Sequence, residues 1–128
     1  MLITMNNLLW VLGSVLALAF LGAGMMKLAQ PKQKLAASGM GWTEGVGAGT
    51  VKLIGALEVL AALGLTLPAV LGLAPALVPL AALGLALVMA GAVVVHARRS
   101  EVQMIAVNVV LLALAAVVAW GRFGPYSF

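Results

Sequence analysis

Glu58 is the side chain whose type and setting ask most plainly for a chemical reason. It lies in Leu53-Ile54-Gly55-Ala56-Leu57-Glu58-Val59-Leu60-Ala61-Ala62, with apolar or small residues on both sides, and is one of only three acidic residues in the chain. If this run crosses a bilayer, an ionised carboxylate there costs on the order of 3 kcal/mol or more. It must then be paired, protonated or turned toward a polar cavity. The candidate companions are Lys27, Lys52, His96 and Asn108, each inside or at the end of an apolar run. A carboxylate set among amines, an imidazole and an amide can bind a polar ligand, hold two helices together or take part in proton movement.

Other chemistries lack their residues. No pair of carboxylates stands ready as acid and base, no serine has an obvious base beside it, and no glycine-rich phosphate loop is present. The absence of cysteine excludes disulfides, thiolate metal sites and thiol redox chemistry in this chain. One histidine cannot build a metal site by itself. No catalytic residue and no metal ligand is assigned, and the chain is not expected to catalyse alone.

The elements that must position these groups follow from composition. Of 128 residues, 65% are hydrophobic and 8% charged, against roughly 25% charged in soluble domains. Such a chain has too little polar surface to cover a soluble globule, so the lipid bilayer is its first partner. The net charge of +4 does not point to nucleic acid. The basic residues are spread along the chain, several at the ends of apolar runs, where topology anchors belong.

Four runs approach the roughly 20 residues a spanning helix needs. The expected fold is all-α: a polytopic membrane protein, one four-transmembrane-helix bundle over residues 1–128, with helices about 8–28, 47–67, 76–97 and 101–120. Pro68 is expected to stop the second helix, and Pro75 and Pro79 to open the third, where proline is tolerated. Ser100 and Gln103 read as a capping box opening the fourth. The first run lacks a basic leader and stays apolar to Met26, so it reads as a retained helix rather than a cleaved signal.

Residues 29–46 form the one long polar connection, with a short interfacial helix expected at 32–37 and Trp42 at headgroup level. The second connection, Pro68 to Pro75, carries no charge. One side of the bundle collects Lys27, Lys32, Lys34, Lys52, Arg98 and Arg99, and the other holds Arg122. The positive-inside rule places the basic side in the cytoplasm and both termini outside it, in the cell inner (plasma) membrane.

Depth links the polar exceptions. At 1.5 Å per residue, Lys52 lies roughly 8 Å below the basic surface, Asn108 roughly 10 Å and Glu58 roughly 16 Å. His96 and Lys27 close their helices on that same side. All five thus fall in one half of the bundle, as a polar cavity open to that side requires. Lys52 is about 120° around the helix from Glu58, so Lys27 or Asn108 is the easier partner. Each residue also has a plainer role: lysines that snorkel to headgroups, an interfacial histidine, an interhelical amide, a paired structural carboxylate.

Gly24-Met25-Met26-Lys27-Leu28, Lys52-Leu53-Ile54-Gly55-Ala56-Leu57-Glu58, His96-Ala97-Arg98-Arg99 and Asn108, in this order and spacing, resemble the DoxX and DoxX-like membrane proteins over essentially the whole chain. The resemblance implies a small four-helix inner-membrane protein but no single activity. The family's name derives from a subunit associated with a thiosulfate:quinone oxidoreductase, and other members are linked to oxidative-stress or membrane-assembly roles. Without cysteine, a sulfur relay through this chain's own thiols is ruled out.

The leading expectation is an accessory membrane subunit. Its half-cavity of Lys27, Lys52, Glu58, His96 and Asn108 would bind a hydrophobic or quinone-like ligand, or a partner membrane protein. No cofactor is expected as a resident group, with a quinone or a lipid open as ligand. Two alternatives stand beside it: an oligomeric small-solute transporter or channel subunit, built as a homo-oligomer, and a component of a membrane quinone-linked oxidoreductase.

Overall fold

The computed structural model describes residues 4–128. Among them are four long helices, α1 (Met5–Ala29), α3 (Ala48–Leu71), α4 (Leu77–Arg98) and α5 (Val102–Phe123), with a short α2 (Lys32–Ala37) and a 3₁₀ turn (Gly41–Gly45) between α1 and α3. Each long helix is long and apolar enough to cross a membrane, and in each only 22–28% of the most apolar stretch is buried. The remaining leucines and valines face outward, as they do where lipid is the solvent. This is a four-helix membrane bundle, all-α as expected.

Helix boundaries have local causes. Thr4 caps α1, its Oγ1 accepting from the Asn7 N–H at 3.1 Å. Pro31 ends α1 by forcing Gln30 into extended backbone. The short helix expected at 32–37 is present, anchored by the fully buried Leu35. Gly39, at φ +102°, turns the chain out of it.

Two expected boundaries are corrected. Pro68 does not stop the second span. α3 runs through it to Leu71 and ends where Gly72 adopts φ +66°. There the Leu73 N–H bonds Pro68 O at 3.0 Å and the Gly72 N–H bonds Ala69 O at 3.3 Å, a Schellman closure. A proline in the last turns forfeits one bond and leaves this terminator intact. The capping box at Ser100 and Gln103 also fails. Ser100 lies in left-handed backbone (φ +55°), the cap position falls on Glu101, and no side chain caps α5. α5 then continues to Phe123 and draws Arg122 into the bundle.

The helices associate most closely as two pairs, α1 with α3 and α4 with α5. Leu16, Phe20, Leu65, Leu85 and Val118 join them into one core. The pairs close on each other at the chain termini, where Asn6 of α1 meets Arg122 of α5 at 2.7 Å. At the basic end a cavity separates them.

Candidate polar cavity

The cavity is set up by a helix crossing that only glycine permits. A Cβ on Gly24 would lie 2.6 Å from Gly55 O, and one on Gly55 would lie 2.9 Å from Gly24 O and 2.8 Å from Lys27 Cβ. The α1 and α3 backbones therefore touch here, as small residues allow in membranes. Lys27 lies three residues beyond its glycine and Glu58 three beyond its own. On antiparallel helices these steps run in opposite directions, an axial separation of about 9 Å. Helical side chains lean toward their own N-terminus, so the two residues lean toward each other. Lys27 Nζ and Glu58 Oε1 meet at 2.7 Å, with both side chains more than nine-tenths buried.

This pair opens on a cavity of about 480 Å³. Phe20 and Ala23 of α1, Ile54 of α3, Val88 and Met89 of α4, and Met104, Val107 and Leu111 of α5 give it apolar walls. Its polar groups are Lys27, Glu58, His96 and Asn108. Glu58 Oε1 has no partner other than Lys27. Asn108 is 6% exposed, and its Nδ2 has no hydrogen-bond partner. A buried amide donor left unpaired costs about 1–3 kcal/mol, so this atom calls for an acceptor.

The connection after α1 supplies the roof. Gly39, Met40 and Trp42 line the cavity, and the Trp42 ring lies 6.0 Å from Lys27 Nζ, at cation–π range. Thr43, wholly buried, fixes the turn by donating to Met40 O at 2.7 Å. Lys32 Nζ donates to Val46 O at 2.7 Å, tying α2 to the start of α3. Arg99 packs against Gly41, where a Cβ would lie 2.8 Å from its Nη2.

Arg99 is held in turn by Glu101, whose Oε1 accepts from Arg99 Nε at 3.0 Å and from His96 Nδ1 at 2.8 Å. The His96 hydrogen bond, then the Arg99 guanidinium, holds the Glu101 carboxyl below its ordinary range. An ionised carboxylate only accepts, so it fixes the imidazole proton on Nδ1.

A DoxX-like family model matches residues 11–118. The chain belongs to the DoxX-like family. The match runs from within α1 into α5 and takes in every cavity residue named above. No curated protein and no solved structure matches the chain.

Four of the five polar residues singled out from this DoxX-like sequence line one cavity. Lys52 does not. It is exposed and donates to Leu28 O at 2.9 Å, closing the end of α1 from outside the cavity. The six-residue offset from Glu58 puts Lys52 on another face of α3. Three participants escaped the sequence reading. Trp42 reads only as a headgroup aromatic, and its ring also lies over Lys27. Glu101 reads as the start of a helix, which it is, and its side chain also orders His96 and Arg99. Met40 carries no signal in sequence, because a methionine in a connection looks like any other.

Proposed function

We propose that this DoxX-like membrane protein is a binding subunit. Its cavity takes an amphiphile with a flat or chain-like apolar body and a carbonyl-bearing head, the chemistry of a quinone. The observation that carries this is the unpartnered Asn108 Nδ2, buried in a mostly apolar cavity beside the Lys27–Glu58 pair. A carbonyl oxygen satisfies Asn108, and a second oxygen finds an ammonium donor in Lys27. When the head is a hydroxyl, Glu58 accepts from it. Phe20, Met89 and Met104 suit the body, and methionine adapts its shape to what it meets. A volume of about 480 Å³ lies in the range of small-molecule sites. The chain itself supplies no redox group, so any electron transfer belongs to a partner, which makes this an accessory subunit. The basic end, with the cavity, faces the cytoplasm of an inner membrane.

Trp42 provides the assay. A short-chain benzoquinone, titrated into the protein in mild detergent, is expected to quench Trp42 fluorescence saturably, while Trp42→Phe loses the saturable component. Trp10 and Trp120 stand far from the cavity, and neither lines it. Asn108→Leu removes one hydrogen bond and is expected to weaken binding roughly tenfold. Glu58→Gln is expected to insert normally and bind more weakly. Quenching that never saturates, or identical affinity in Asn108→Leu and wild type, removes the proposal.

A further inference from the structure

A second recess lies outside the cavity, between the end of α1, the start of α2 and the first turns of α3. Its volume is about 560 Å³, and its charged lining is Lys27, Lys32 and Lys52, with Gln30 and Gln33 beside them. No acidic residue lines it. Glu58 balances Lys27 from behind at 2.7 Å, leaving Lys32 and Lys52 as the unbalanced charges.

Each of those two lysines is positioned by the fold. Lys32 Nζ spends one donor on Val46 O and Lys52 Nζ one on Leu28 O. An ammonium has three donors, so each retains two. The backbone bonds hold both side chains on the rim and reduce the rotamer freedom that a ligand would otherwise have to freeze. The recess sits where two membrane-spanning helices end, at headgroup level, and basic pockets between helix ends at this level suit anionic headgroups.

We propose that this recess binds the phosphate of an anionic membrane lipid, with Lys32 and Lys52 as its principal donors and the acyl chains lying along the apolar faces of α1 and α3. The lysine chemistry would also accept free phosphate. The lipid is favoured because Leu28 and Leu53, next in sequence to the recess, are exposed leucines on the spanning helices. This site stands independently of the ligand assigned to the inner cavity.

The test uses the full chain in mild detergent with equal amounts of phosphatidylglycerol and phosphatidylcholine, read by native mass spectrometry. Wild type is expected to retain phosphatidylglycerol in preference. Lys32→Gln with Lys52→Gln is expected to reduce that retention roughly thirtyfold, the effect of two interfacial lysines. The charge-preserving pair Lys32→Arg and Lys52→Arg should keep it. Lys34 is exposed and outside the recess, so Lys34→Gln should leave retention unchanged. Equal retention of the two lipids by wild type overturns the proposal whatever the variants do. So does an equal loss in Lys34→Gln, which would show only diffuse surface charge. Complete displacement by inorganic phosphate would identify a free-anion site and overturn the lipid assignment.

Discussion

The two ends of the bundle bury charge in opposite ways. At the terminal end, Arg122 is 4% exposed and its guanidinium is enclosed. Nη1 donates to Asn6 Oδ1 at 2.7 Å and to Tyr126 O at 2.9 Å, and the rings of Phe128 and Trp10 lie 4.0 and 5.7 Å away. At the basic end, Lys27 and Glu58 are as deeply buried, yet they border open volume. Among the described residues, apart from Glu58 Oε1, which meets only Lys27, the buried side-chain atoms without a hydrogen-bond partner are Gln30 Oε1 and Asn108 Nδ2. Both belong to the basic half. Buried polar groups are normally satisfied. Arg122, hydrogen-bonded to Asn6 and Tyr126 and bordered only by a void of about 10 Å³, clasps the two chain ends. An unpartnered amide facing open volume, as at Asn108, is the feature on which the proposed binding role rests.

Arg122→Ala should have the largest effect on stability. It removes charge-assisted hydrogen bonds, each contributing about 1.5–3 kcal/mol, together with the aromatic packing of the tail. A loss of about 3 kcal/mol or more is expected in equilibrium unfolding from mixed micelles. Benzoquinone affinity at the other end should stay within about twofold under conditions where the variant is folded. A folded variant that no longer binds would show that the two ends are coupled and remove the contrast.

Gly24→Ala probes how the site is held. The added Cβ meets backbone on α3, Gly55 O at 2.6 Å and Val59 N at 3.0 Å, so no side-chain rotation relieves it. Overpacking of this kind costs about 1–3 kcal/mol. Because the helices must part, Lys27 should move from Glu58, and binding should weaken together with stability. Gly22→Ala, where a Cβ meets nothing within 4 Å, is the control that should do neither.

How far these features could be read from sequence depends on how local their causes are. Four spans are legible because twenty apolar residues in a row have few other fates, and the polar half-bundle followed from depth alone. A buried Glu58 demanded a partner. Helix geometry already sets Lys52 aside; that the partner is Lys27 rather than Asn108 rests on the Gly24–Gly55 contact, which joins residues far apart in the chain. Arg122 was illegible for the same reason: at a helix end it looks like a topology anchor, and its main partner, Asn6, is 116 residues away. Pro68 and Ser100 misled through local rules whose neighbours, Gly72 and Glu101, decided the outcome.

The ion pair itself should matter less to stability than its burial suggests. Breaking a wholly enclosed pair costs about 3–5 kcal/mol, because one charge is left stranded. Lys27 also borders the outer recess, so after Glu58→Gln its ammonium can turn there. A loss of about 1 kcal/mol is therefore expected, below the enclosed case. Adding Lys27→Met should restore stability without restoring benzoquinone binding, a double-variant cycle that separates the two roles. A double variant much less stable than either single one would make the pair a clasp like Arg122.

The smallest effect concerns the roof. Glu101 is depressed in the folded protein by His96 and then Arg99. A carboxylate lowered in this way contributes stability that is present above its ordinary pKa, about 4.3. That contribution is lost as pH falls through the lower folded value. Once Glu101 is protonated it holds Arg99 less firmly, and Arg99 packs against Gly41 of the 3₁₀ turn. Hydrogen exchange at residues 39–46 should therefore be slower in wild type than in Glu101→Gln near neutral pH. The difference should close as the medium is made more acidic than the ordinary carboxylate range. A gap that persists through that acid range would mean that packing rather than charge holds the roof. The basic end would then be closed in the same manner as the Arg122 end.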